Sequence, residues 1–490
     1  MNTTNNANRR RRWWYATTLA VSLPIFLVIQ LQQVSLKSSP HDFVHEDISI
    51  ISLTGTQQND VRPAARHGAR RQLLLDVLFS LFGDSTSVTT PTLSSVRQIN
   101  DAGFGDRANQ YSFSMASFNG NVFVGTLNAP VFRFTAVAFF LGFGNLGPFP
   151  LFPTNGSQVY RGTRADDGTW TFDKVLDFQD SNPDNYGSRV MLVVGDTLYL
   201  ATANHVGGLE VWQTTGNGDE WQRVSEPGFG DDSNISGRGM AECGGYLYVG
   251  AENRSTGAQI FRHKVVEGGG LDDSSDWERV GELGFGDTFN FFVSEFVVYQ
   301  GSLYGSTLNG LNGAELWRTA QCGNPVAEEV IFENVIRGGL GNRLNQGILT
   351  MRNINDAALL IGTVNYLQGA SLFIDDGSGS EFRLIFDNGW TSFFNSYVWA
   401  IEEFQGRIYL GTYNVLGGLL PWSTFQLFSV VLDESTLEIQ DMMVEDRRGF
   451  SSFGQYGIRN MVAHDDTLVI GTAGVFLTSG TLVFEGSNLE

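Results

Sequence analysis

The chain has 490 residues, 42% of them hydrophobic, and a formal net charge of −21. That is enough apolar mass for a large core, and it excludes the basic footprint of a nucleic-acid binder. The charge is unevenly divided: residues 1–71 hold nine Lys+Arg against four Asp+Glu, a net of +5, and residues 72–490 hold 22 against 48, a net of −26.

Four arginines at 9–12 precede an apolar stretch over 13–31, which opens with Trp13, Trp14 and Tyr15. Nineteen such residues span a bilayer as a helix, with the positive flank on the cytoplasmic side and the aromatics at the interface. Residues 1–36 are therefore read as a cytoplasmic tail and transmembrane signal-anchor, and the remainder of the chain as lumenal or extracellular. A cleaved signal peptide, giving a secreted protein, is the alternative, though no small-x-small site succeeds the apolar stretch. Residues 37–94 read as a stem. Within it, 72–82 (QLLLDVLFSLF) is an apolar helix that lies on the membrane surface or docks on the body.

From residue 95 onward one pattern recurs seven times. An Asn or Gln is followed sixteen residues later by a small residue: Asn109/Gly125, Asn185/Ala201, Asn234/Gly250, Asn290/Ser306, Asn345/Gly362 (one residue longer), Asn395/Gly411 and Gln455/Gly471. An aromatic then follows: Tyr160, Trp212, Phe261, Trp317, Phe373, Phe428 and Phe484. Each copy breaks into four short β-rich runs, A to D, separated by Gly, Asn, Asp and Ser. Repeats of this length and punctuation indicate an all-β fold, a β-propeller of four-stranded antiparallel blades over 95–490. The last copy lacks a strand D, and SVRQINDAGFGD before the first copy resembles WQRVSEPGFGD and WERVGELGFGD. An N-terminal strand then completes the seventh blade and removes the open sheet edges.

The small residue on strand B is expected where blades converge, and the strand-C aromatic further out. The short polar residue three before each repeated Asn/Gln (Asp106, Asn182, Asp231, Asp287, Asn342, Ser392, Ser452) reads as a loop-building Asx turn rather than a metal ring. The strand reading puts Cys243 at an inner turn and Cys322 at an outer turn of the next blade, too far apart to bridge. Asn155, Asn234 and Asn253 head N-x-S sequons and are glycan acceptors if the chain is extracytosolic, which would make it a glycoprotein.

The hairpins DDGTW at 166–170, TGNGDEW at 215–221 and DDSSDW at 272–277 resemble the Asp-box of sialidase-like propellers. In that family the box is a folding element, so the resemblance implies architecture and no activity.

Where the copies differ, function is expected. Four residues after the repeated Asn/Gln stand Phe113, Arg189, Arg238, Ser294, Leu349, Trp399 and Arg459. Three arginines at equivalent inner-strand places, two of them in YGSR and YGIR with Tyr186 and Tyr456, can converge at one channel mouth. Their planar forks suit carboxylate, phosphate or sulfate. Sialidases use an arginine trio of this kind. Glu295, one position further on in blade 4, replaces small or neutral residues and is the candidate general acid/base. The alternative is that each arginine pairs with a local acid as structure.

The loops at 130–153, 415–425 and 475–480 are apolar and share one face, as a ligand or partner sector or as a self-packed lid. The leading expectation is a membrane-anchored propeller that binds a ligand or partner, specifically an anionic glycan, on its loop-rich face. Arg189, Arg238, Arg459, Tyr186 and Tyr456 carry the binding, with no cofactor and no metal. A sialidase-like or uronate-processing enzyme and a protein-interaction scaffold are the alternatives. Glycosidase chemistry needs a second carboxyl at a controlled distance, so the balance leans away from an enzyme.

Overall fold

The computed structural model describes residues 92–128, 155–272, 275–375, 377–417, 423–433, 435–474 and 480–488. The apolar stretch at 13–31, the helix at 72–82 and the greater part of the three apolar loops lie outside the described residues. No described helix is long and apolar enough to cross a membrane.

The repeated runs form antiparallel four-stranded meanders. In the first, Asn109–Phe118, Asn121–Asn128, Gln158–Arg164 and Trp170–Asp177 pair in order as strands A to D. The last meander runs Gln455–His464, Thr467–Gly474 and Val483–Asn488, and Leu93–Gln98 supplies its outer strand by pairing antiparallel with Val483–Asn488. The expected N-terminal completion is therefore present. The other A strands are Gly187–Val194, Ser236–Cys243, Val293–Tyr299, Gly347–Ile354 and Asn395–Phe404.

Adjacent meanders meet through strand B of one and strand A of the next. Leu127 bridges Gly187, Ala203 bridges Ser236, and Val364 bridges Tyr397. Tyr413 bridges Gly457, and Ala473 of the last meander bridges Tyr111 of the first. Between the third and fourth, the Asn253 N–H donates to the Phe291 carbonyl at 2.9 Å. The fold is a β-propeller.

The sixteen-residue spacing has a packing cause. It sets the small residue of strand B against the third residue after the repeated Asn/Gln of the next meander. A Cβ on Gly250 would lie 2.6 Å from the Val293 Cβ, one on Gly411 2.6 Å from the Ile458 Cβ, and one on Gly362 2.7 Å from the Val398 Cβ. Gly250→Val is expected to cost about 1–3 kcal/mol through overpacking, read as a lowered Tm. A wild-type Tm would contradict this packing.

The strand-C aromatics stack on loop aromatics rather than merely filling space. Tyr160 lies 4.1 Å from Phe104, Phe261 4.1 Å from Phe229, Trp317 5.0 Å from Phe285, and Phe428 4.3 Å from Trp390, between ring centroids. Those partners have left-handed backbone, with φ from 54° to 63°. That conformation is uncommon for an aromatic and is held by the stack.

The repeated polar residues build the loops as expected. Asp106, Asp231 and Asp287 each accept the backbone N–H two residues on. Asn128, Asn253 and Asn309 each donate to the repeated Asn of their own meander at 3.0–3.1 Å. This network overturns two sequons: Asn234 and Asn253 are 0% exposed and spent within it, so their amides are closed to a glycan in the folded chain. Asn155 is exposed.

The cysteines are also corrected. Cys243 and Cys322 form a disulfide with Cα atoms 5.7 Å apart. Radial order misled, because A-to-B turns and the strand ends beside them touch the C-to-D hairpin of the next meander. Tyr304 Oη donates to the Gly379 carbonyl at 3.1 Å, and Tyr199 and Tyr248 donate to the carbonyls of Gly269 and Cys322. A Cβ on Gly244 would meet the Gly323 Cα at 2.5 Å. The disulfide makes one such junction covalent across a sequence separation of 79 residues. A Cys243→Ser, Cys322→Ser double variant is expected to lose about 2–4 kcal/mol in denaturant unfolding. An unchanged midpoint would show that the junction holds without it.

Candidate functional site

The position four residues after each repeated Asn/Gln has a structural peculiarity. In every meander the A–B register slips there by one residue, so Phe113, Arg189, Arg238, Ser294, Leu349, Trp399 and Arg459 each sit in a β-bulge. A bulge adds one residue that has no partner across the ladder and re-aims its side chain. All seven line one cavity of about 480 Å³, together with Glu295, Arg352, Glu402 and Asn460.

The three arginines are thus brought together, but their situations differ. The Arg238 guanidinium is bound to Glu252 at 2.8 Å and lies 3.8 Å above the Phe292 ring. Arg254 holds the same carboxylate at 2.8 Å. Burial opposes ionisation of Glu252, yet Arg238 and then Arg254 outweigh it and draw its pKa down to about 2. Arg238 therefore follows the structural alternative, pairing with a local acid.

Arg189 is only 8% exposed and sits 4.3 Å over the Phe113 ring. Its buried Nε has no hydrogen-bond partner, and no described acid forms an ion pair with it. Burial, followed by repulsion from Arg238 and Arg459, pushes its pKa well below the usual guanidinium value. Arg459 lies over Phe113 and Trp399, 5.5 and 5.2 Å from their ring centroids.

Tyr186 and Tyr456 line none of this cavity. Both are buried in an aromatic cluster with Tyr111, Tyr366, Tyr397, Trp399 and Tyr413, on the loop side of the bulge layer. Tyr186 is spent on His205, stacked at 5.0 Å and bonded through its hydroxyl at 2.5 Å. The cavity extends the other way, towards the A-to-B turns, where the lining residue Val193 is 37% exposed. The Arg238 guanidinium reaches the loop side, where Glu252 ends its strand and Arg254 stands in the loop that follows.

Glu295 has company. Its carboxylate accepts the Met351 N–H at 2.6 Å, and burial raises its pKa to about 7 against the pull of that bond, Arg459 and Arg352. Glu402 accepts Arg352 Nη2 at 2.7 Å, and burial likewise raises it to about 7. Glu242 and Glu403, also on inner strands, are not among the residues lining the cavity. Arg352 and Glu402 both fall seven residues after the repeated Asn, where the other copies carry Ala116, Leu192, Ala241, Val297 and Val462. Their departure from that apolar column is the sequence signal that marks them.

One further contact lies on the ring seam. Ser117 Oγ meets His464 Nδ1 at 2.9 Å between the first and last A strands, and burial lowers the His464 pKa.

No family model and no curated protein matches this chain. Solved structures similar to it include the RRP9 WD40 repeats, 11% identical, covering 82% of this chain and 100% of that one, with a TM-score of 0.47. A Mycobacterium tuberculosis puromycin-hydrolyzing peptidase is 12% identical, covering 82% of this chain and 56% of that one, also at 0.47. Sqt1 of Saccharomyces cerevisiae is 10% identical, covering 82% and 100%, at 0.41. At that similarity no residue's role is carried across.

Proposed function

We propose that the chain is a membrane-anchored, extracytosolic, seven-bladed β-propeller, closed by its N-terminal strand, whose central cavity binds a small anionic ligand. The observation that carries the ligand is Arg189: a buried guanidinium without an acid partner among the described residues, facing a cavity. Leaving a charge buried and unpaired is costly, and a carboxylate, sulfate or phosphate oxygen would relieve that cost with charge-assisted bonds. Arg459 borders the same space, while Arg238 and Glu252 act as its fixed wall. An acidic sugar such as a uronate or a sialic acid fits this chemistry as a terminal group.

The compartment rests on the arginine-flanked apolar stretch at 13–31, on the Cys243–Cys322 disulfide, which suits an oxidising environment, and on the exposed Asn155 sequon. A carbohydrate-acid enzyme is the second reading, favoured by Glu402 joining Glu295 in one cavity.

The test is a thermal-shift titration of the full chain with glucuronate, sialic acid, sulfate and neutral glucose. A ligand that binds the folded state raises Tm with concentration. The anions should do so and glucose should not, and the rise should vanish in Arg189→Met. No rise with any anion would remove the ligand and leave a scaffold.

A further inference from the structure

The cavity holds more acid than an anion site should tolerate. Facing the same space as Arg189 and Arg459 are two buried carboxyl groups, one on each side of Arg352. Glu295 is met by the Met351 N–H and, at longer range, by Arg352 from the next blade and by Arg459. Against its strand from the preceding blade packs Gly239, which carries no charge. Glu402 is met by Arg352 on one side, by the Ala463 N–H of the following blade on the other, and by Glu403 on its own strand. Arg238 is already neutralised by Glu252. With both carboxyls ionised, the three remaining arginines face two negative charges. With both protonated, those two charges are gone.

We propose that the cavity is a proton-coupled anion site, in which an anion among the arginines and protons on Glu295 and Glu402 bind together. The inference rests on the anion reading above and deepens it. Protonated, each acid offers an O–H donor in place of a repelling charge. The ligand class is therefore a small anion that also presents acceptor oxygens, as a polyhydroxylated carboxylate does, rather than a bare halide. Burial supports the same picture, since both groups change protonation near neutrality.

The coupling has a defined sign. An anion disfavours carboxylates beside it, so binding raises their proton affinity, and affinity falls as pH rises. From pH 6 to pH 8 the fall should be roughly ten-fold for one linked proton and roughly a hundred-fold for two.

The experiment is calorimetric titration of the full chain with glucuronate and with sulfate, neither of which changes charge between pH 6 and 8. It is run in two cationic buffers of different ionisation enthalpy, so that proton uptake is read on the unaltered protein. Expected are net proton uptake at pH 7.5, the stated loss of affinity by pH 8, and a flattened pH profile in Glu295→Gln and Glu402→Gln. Anion binding with constant affinity and no proton uptake would overturn the coupling and leave the anion site standing. No binding at pH 6 or pH 8 would overturn both.

Discussion

Arg189→Met is expected to melt above the wild type in ligand-free buffer, and Arg238→Met below it. The two arginines hold equivalent places in neighbouring blades, each at a bulge and each lining the same cavity. What separates them is a partner. Arg238 and Glu252 neutralise one another at 2.8 Å, and removing one side leaves the other acid with Arg254 alone. Breaking a buried pair of this kind costs about 3 kcal/mol.

Arg189 has no such acid, and its buried Nε is unbonded. Replacing it with an apolar side chain of similar length removes a desolvation cost and keeps the packing on Phe113, for a gain of roughly 1–4 kcal/mol. A site retained for a ligand at the expense of stability behaves this way. Denaturant unfolding of both variants reads the result directly. If Arg189→Met is destabilised as much as Arg238→Met, Arg189 is a structural residue and the ligand loses its main support.

The second expected result concerns pH. Glu295 and Glu402 each have a folded-state pKa of about 7 against an ordinary value of 4.5. Between those values the folded state binds more protons than the unfolded one, so stability falls as pH rises. Their contribution is fully present below about pH 4.5 and has gone above about pH 7, and each group accounts for up to about 3 kcal/mol of that change. Glu252 works with the opposite sign. Its pKa of about 2 lies below the ordinary value of 4.5, so its stabilisation is present above pH 4.5 and is lost as pH falls towards 2.

Glu295→Gln should therefore match the wild type near pH 5 and melt several degrees higher at pH 8, with the same for Glu402→Gln. Melting curves across pH 4.5–8.5 decide it. A wild-type decline retained in both variants would show that these acids do not titrate in the folded protein as described.

The architecture was legible because it is written as a period. The Asn/Gln-to-small spacing encodes a contact between strand B and the next strand A, and a contact repeated at every junction leaves a visible trace. The outer strand could be assigned to Leu93–Gln98 for the same reason, since its copy was missing at the other end. The bulge was not legible. Its occupants range from Ser294 to Trp399, so no residue type marks it, although counting four from the repeated Asn reached it.

The disulfide was misread because distance was judged by radial order along a blade, whereas the contact is made by a strand end beside an A-to-B turn against the C-to-D hairpin of the next meander. Tyr186 and Tyr456 were drawn into the site by their closeness in sequence to Arg189 and Arg459. Three residues along a strand is about 10 Å, enough to put them in the aromatic layer instead. Arg352 was missed because it stands two positions beyond the place of Glu295 in the repeat, on the same strand face but further from the bulge.

The measurement that tests the central claim most directly is anomalous diffraction from crystals of the full chain soaked in selenate. Selenate stands in for a carboxylate or sulfate and marks its own position. The account predicts a peak inside the central cavity, within hydrogen-bonding distance of the Arg189 guanidinium. Peaks at surface arginines with none in the cavity would contradict it.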